Sequence, residues 1–208
     1  MQLKAPMSAH RLHMLLLLVL PLSVAGMAMG GAAHRLWLVV LSASVFTGFL
    51  IWIGITTNAP YWSVVAPQRP DDLVVPLRQN SRLLAIAYAW GGFAMQALYT
   101  TPLTGLKWQH GWQYAALMAL MACFALLFTR LLESEHTGVR RVVLSIAPLL
   151  AIGNALLAAG GLVFLAASGK LLLRRSDWAA NQVFLFGALS VMILAAVTLR
   201  THARLTRN

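Results

Sequence analysis

The side chains with chemical reach are few in this chain, and most sit at the borders of long apolar runs. The richest group is Tyr99-Thr-Thr-Pro-Leu-Thr-Gly-Leu-Lys-Trp-Gln-His-Gly-Trp-Gln-Tyr114. It brings Lys107, Trp108, His110 and Trp112 into one short connection. An amine, an imidazole and indoles at one membrane surface suit the grip of a lipid headgroup or small polar ligand, by charge and by stacking. The same residues also make a plain aromatic interfacial turn.

Two amides, Gln96 and Asn154, fall near the middle of apolar runs. An amide without a partner in hydrocarbon costs several kcal/mol. Each therefore bonds a neighbouring helix or a polar substrate, and the two are placed to bond each other. These six residues, Gln96, Lys107, Trp108, His110, Trp112 and Asn154, are the candidate binding set. His34 and His110 fall at one end of their runs, and a b-type haem needs two imidazoles at matching depth. Haem b is thus the alternative to the main expectation, which is no cofactor and no metal. Every histidine is placed at or beyond a membrane surface.

Catalytic patterns are missing. His-Glu-x-x-His, the P-loop, paired Cys-x-x-Cys and Gly-x-Ser-x-Gly do not occur. No Asp, Glu, Lys, Arg or His lies deep within an apolar run, where ion-coupled carriers usually keep one. No catalytic residue is assigned.

The elements that must position these residues follow from composition. Of the 208 residues 60% are hydrophobic and 10% charged, with mean hydropathy +0.74. A soluble domain is about 45–50% apolar and about 25% charged. The chain is accordingly an all-α polytopic membrane helix bundle of about six transmembrane helices, forming one integral-membrane domain. The spans are expected near Met14–Gly31, Leu36–Thr56, Leu83–Leu103, Trp112–Leu132, Val142–Ser168 and Trp178–Leu199. Barrel strands of ~10 alternating residues are absent. Ser23-Val-Ala25 offers a signal-cleavage site, which would leave five spans, but the apolar run continues past it and the first span is retained.

Sixteen Lys and Arg oppose five Asp and Glu, for a net charge of +11. The basic residues lie between apolar runs, as topogenic signals do, so anionic lipids are the expected counter-charge and nucleic acid is not a partner. With the N-terminus cytoplasmic, that side receives Lys4, Arg11, Arg69, Arg78, Arg82, Arg130, Arg140, Arg141, Arg200, Arg204 and Arg207. The other side receives Arg35, Lys107, Lys170, Arg174 and Arg175. The imbalance places both termini in the cytoplasm and the protein in the inner membrane.

Thr57 to Arg82 contains Pro60, Pro67, Pro70 and Pro76 and reads as a proline-rich loop without regular helix. Glu133 to Gly138 reads as a short turn, and Ser176-Asp177 as an N-cap. Small residues at four-residue spacing predict helix contacts: Gly26 and Gly30, Ser44 and Gly48, Ala87 and Gly91, and Ala147, Ala151, Ala155 and Ala159. Pro148 with Gly153, Gly160 and Gly161 makes the fifth span the candidate for a discontinuous helix. Cys123 reads as a small buried apolar residue.

The functional expectation is a non-enzymatic small permease or a subunit of a membrane complex, with a protein partner or a homo-oligomer as its context. The second reading is a redox or lipid- and quinone-processing enzyme subunit with an interfacial site near His34, Lys107 and His110.

Overall fold

Backbone amides have no partner in hydrocarbon, so each apolar run must satisfy its own as helix. The computed structural model describes residues 8–62, 70–100, 108–167 and 178–206, apart from the side chains of 70, 71, 99, 100, 108–111 and 178. Within them lie α1 (Ala9–Ala32), α2 (Leu36–Trp62), α3 (Val74–Thr100), α4 (Trp108–Leu132), α5 (Thr137–Ala167) and α6 (Trp178–Thr206). No strand occurs among the described residues. Five of the helices are long and apolar enough to cross a membrane; α3, whose first turns hold Arg78, Gln79, Asn80, Ser81 and Arg82, is the exception.

The helices are longer than the apolar runs. Helix α2 continues through Pro60 to Trp62, a 3-10 turn covers Pro70–Leu73, and α3 begins nine residues before Leu83. Much of the expected proline-rich loop is therefore helical. The physical reason lies in where the prolines fall. Pro76 is the third residue of α3, where backbone N–H groups have no intrahelical acceptor, so its missing donor costs nothing. Pro60 disturbs only the last turn of α2. Pro67 lies outside the described residues.

Helix α5 is likewise continuous from Thr137 to Ala167 and is not broken at Pro148. A proline at 148 leaves the Leu144 carbonyl without its helical donor, and the His202 ring on α6 faces the Leu144 backbone. An outside side chain thus sits where the ladder lost its own donor.

Helices α3 and α6 form the centre. Helices α1 and α2 pack on one side of them, α4 lies along α3, and α5 lies along α6. Helices α4 and α5 meet each other only sparsely. The largest core cluster joins α1, α2, α3 and α6 around Phe46 and Trp90, whose rings stack at 4.8 Å and 5°. A second cluster (Leu77, Leu132, Leu144, Leu205) closes the end where α1, α3 and α5 begin and α2, α4 and α6 end. This end is called the basal end below.

The small residues sort unequally. A Cβ at Gly30 would sit 2.8 Å from Val39 Cγ2 and 2.9 Å from Val39 N, so α1 and α2 approach closely there. At Gly92 it would meet Met118 Cβ at 3.0 Å, which brings α3 close to α4. Ser44 and Gly48 instead face outward, and a side chain at Gly48 would meet nothing within 4 Å. Helix α2 turns Ser42 and Val39 to α1, not the expected pair. Ala147 and Ala151 are buried, whereas Ala155 and Ala159 are only partly so. Cys123 is exposed, which corrects the expectation of a buried thiol. The stripe on α4 that contains it faces away from the bundle.

Candidate functional site

The sparse meeting of α4 and α5 leaves a cavity of about 460 Å³ bounded by α3, α4, α5 and α6. That volume lies within the range of ligand pockets, about 300–1,000 Å³. Its back wall comes from one face of α3 (Leu77, Asn80, Ser81, Leu84, Tyr88) and one face of α6 (Val191, Leu194, Thr198). The spacing of one, three and four residues along α3 is what places those side chains on a single stripe. The side walls are apolar. Phe124, Leu127 and Leu131 come from α4, and Leu149, Leu150 and Leu157 from α5. All six of these are exposed beyond a third of their surface, so the mouth of the cleft is continuous with the apolar outside of the bundle.

Polar atoms are confined to the back wall and one cross-piece. Tyr88 Oη donates to Asn154 Oδ1, joining α3 to α5 across the cleft, and Asn154 Nδ2 donates to Leu150 O at 2.8 Å. Ser81 Oγ and Thr198 Oγ1 donate to the carbonyls of Leu77 and Leu194, each four residues back on its own helix. Their remaining lone pairs can still accept. Asn80 is almost completely buried, and its Oδ1 accepts from Asn58 Nδ2 at 2.8 Å. Its own Nδ2 has no hydrogen-bond partner among the described residues.

Behind Asn80 a buried network ties three helices together. Asn58 on α2 donates to Gly54 O at 2.7 Å as well as to Asn80, and its Oδ1 accepts from Thr201 Oγ1 of α6 at 3.1 Å. Trp62 Nε1 donates to Thr201 at 3.3 Å, and the Arg200 guanidinium lies 4.7 Å over the Trp62 ring. Further rungs join α1 to α3 (Trp90 Nε1 to Ser23 Oγ, 3.0 Å) and α6 to α2 (Ser190 Oγ to Thr47 Oγ1, 3.3 Å).

Next in sequence to the basal lining residues of α3 and α4 stands a group of arginines, none of which itself lines the cleft. Arg78 and Arg82 on α3 flank Asn80 and Ser81, and Arg130 on α4 stands beside Leu131. All three guanidiniums converge on Glu133, at 3.4, 3.0 and 3.5 Å. One carboxylate faces three cations, so two positive charges there lack a counter-charge within the cluster. Across the described basal end stand eight arginines (11, 78, 82, 130, 140, 141, 200, 204) and four acids, Asp71, Asp72, Glu133 and Glu135. A smaller recess nearby is lined by Arg140, Arg141 and His202.

Of the expected binding set, only Gln96, Trp112 and Asn154 have described side chains, and of these three only Asn154 lines the cleft. Asn154 lines the cleft, but its partner is Tyr88, not Gln96. Gln96 is partly buried on α3, two turns beyond Tyr88, and is not among the cleft residues. Trp112 is exposed at 61%, as interfacial anchors are. Trp108 and His110 fall in the first turn of α4 with side chains outside the description, and Lys107 lies outside the described residues altogether. His34 is exposed in the α1–α2 turn, with φ 52°. His13, in the first turns of α1, is packed into the bundle at 7% exposure, with Nε2 buried and unpartnered among the described residues. No group of three His, Cys, Asp or Glu side chains converges to hold a metal among the described residues.

Sequence reasoning missed Asn58, Asn80 and Ser81 because all three fall in the stretch read as loop. The available signal was the spacing of Asn80, Leu84 and Tyr88, which continues the α3 stripe backward past Leu83. Comparison with protein-family models, with curated proteins and with solved structures finds no match to this chain.

Proposed function

We propose that this multi-pass membrane protein is a small, non-enzymatic permease whose substrate site is the α3–α6 cleft. The observation that carries this reading is the cleft's construction. Its mouth between α4 and α5 opens on the apolar outside, while its polar atoms lie on the back wall, the arrangement required to take an amphiphile sideways out of a bilayer. The far end is closed by Tyr88, Ala122 and Val191 with Met118 and Ala158 packed against them. A site open sideways between two helices and packed shut at its inner end is one half of an alternating-access cycle. The charge asymmetry supports an inner-membrane location with both termini on the cytoplasmic side.

The test is reconstitution of the purified chain in vesicles of phosphatidylethanolamine and phosphatidylglycerol doped with a headgroup-labelled fluorescent phospholipid. Dithionite added outside bleaches only the outer leaflet unless lipid is moved. Bleaching beyond the protein-free level, abolished by Ala151→Phe in the cleft wall, is the expected result. Bleaching equal to that of protein-free vesicles would sink the permease reading.

A second reading, a subunit of a larger membrane complex, is favoured by one observation. Only 17% of the apolar window of α4 is buried, against 39% for α2 and α6. Stable co-purification of a second membrane protein in mild detergent, lost on substitution of Phe124 and Leu127, would support it.

A further inference from the structure

Accepting the cleft as the substrate site, we infer that its ligand is an anionic phospholipid, held with one acyl chain in the cleft and its phosphate on Arg78, Arg82 and Arg130. Three observations lead there independently. The first is length. On α3 the lining runs from Leu77 to Tyr88, and on α5 from Ile146 to Leu157. Eleven helical steps of about 1.5 Å make each wall about 16 Å long. That is half of the roughly 30 Å hydrocarbon core, the depth of one leaflet. A partner transmembrane helix would need the full depth.

The second is position. On α3 and α4 the cleft lining starts at the basal end, next in sequence to the arginines, whereas on α5 and α6 it starts about eight or nine residues in from that end. A chain lying in it therefore brings its headgroup to Arg130, whose side chain is 82% exposed, and to the partly exposed Arg78 and Arg82. The third is charge. Glu133 can balance one of the three guanidiniums, and planar guanidinium forks match phosphate oxygens in pairs. The hydroxyl lone pairs of Ser81 and Thr198 and the Asn80 amide lie at the basal part of this wall, nearest the arginines, where the ester groups of such a lipid would fall.

This predicts an unusual role for Glu133. It orders the arginines, yet it competes with the phosphate for them. Removing its charge should tighten lipid binding, the reverse of what a purely structural ion cluster would do.

The experiment is native mass spectrometry of the detergent-purified full chain, titrated with dioleoyl-phosphatidylglycerol, dioleoyl-phosphatidylcholine or inorganic phosphate. A charge-assisted hydrogen bond is worth enough to shift Kd about tenfold. Phosphatidylglycerol should bind about tenfold tighter than phosphatidylcholine, and Arg130→Gln should remove that difference. Glu133→Gln should tighten phosphatidylglycerol binding severalfold, and Ala151→Phe should weaken both lipids. Arg130 is a surface group and Glu133 is partly exposed; an unchanged unfolding midpoint of each lipid-free variant is the control that it remains folded. Equal binding of the two lipids, or phosphatidylglycerol binding unaffected by Arg130→Gln, overturns the headgroup assignment. Binding of inorganic phosphate as tight as the lipid, with no effect of Ala151→Phe, overturns the chain assignment in favour of a free anion. If lipid binds as described but no vesicle flux is seen, the permease reading falls and this assignment stands.

Discussion

Asn58→Ala is the sharpest probe of how the bundle is held. The Asn58 side chain is fully buried and joins α2 to both central helices, through Asn80 on α3 and Thr201 on α6. Its loss does not orphan every partner. Thr201 still donates to Val197 O at 2.8 Å, and Gly54 O retains its helical donor. Asn80 Oδ1, however, loses its donor. Interhelical hydrogen bonds in membrane proteins average about 0.6 kcal/mol and reach about 1.7. Two such bonds plus one stranded carbonyl give a destabilisation of about 2 kcal/mol.

Asn80→Ala should cost much less, about 0.5 kcal/mol, for a reason specific to this site. It breaks only one bond, leaves Asn58 with Gly54 and Thr201, and removes the Asn80 Nδ2 that has no partner among the described residues. The double variant should be less destabilised than the sum of the singles, by about 1 kcal/mol, because both singles break the same bond. The assay is reversible unfolding in mixed micelles of dodecyl sulfate and mild detergent, followed by tryptophan fluorescence. Equal costs for the two single variants, or additivity of the double, would refute the claim that Asn58 is the hub and Asn80 its under-used partner.

Glycines should respond with opposite signs. Gly30→Ala drives a methyl into Val39 and is expected to destabilise by about 1–3 kcal/mol, whereas Gly153→Ala meets nothing within 4 Å and should stabilise α5 by about 0.5–1 kcal/mol in the same unfolding assay. His202→Ala withdraws the ring from the Leu144 backbone and should loosen α5 around Pro148, seen as faster amide hydrogen exchange confined to 144–152. Trp90→Phe keeps the stack on Phe46 but deletes the bond to Ser23, costing about 1 kcal/mol, and removes a fully buried indole from the emission spectrum.

The difference between the expected site and the observed one has a definite origin. Proline content made 57–82 look irregular, and that one inference hid Asn58, Asn80 and Ser81 together with both arginines that flank them. Polar residues in the first turns of α3 lowered its apolarity to that of a connection, yet those turns sit at the centre of the basal end. Pairing was the second obstacle. Asn154 was legible as a buried amide that needs a partner, but choosing Tyr88 over Gln96 requires the rotation of α3, because the two are eight residues apart and face different neighbours.

What the residues alone determine is the solvent the chain is built for and the elements that result. Apolar runs without charge must be helices, because lipid leaves backbone amides no other partner, and a turn must fall within Glu133–Gly138, where the structure confines it to Glu133–His136. What only tertiary structure decides is which helices touch. The five membrane-length helices are apolar on most sides, so no amphipathic stripe announces their neighbours. Contact is chosen by backbone approach at single glycines and by polar pairs far apart in sequence. The gap left where α4 and α5 fail to meet, which is the candidate site, is a property of those choices and of no single segment.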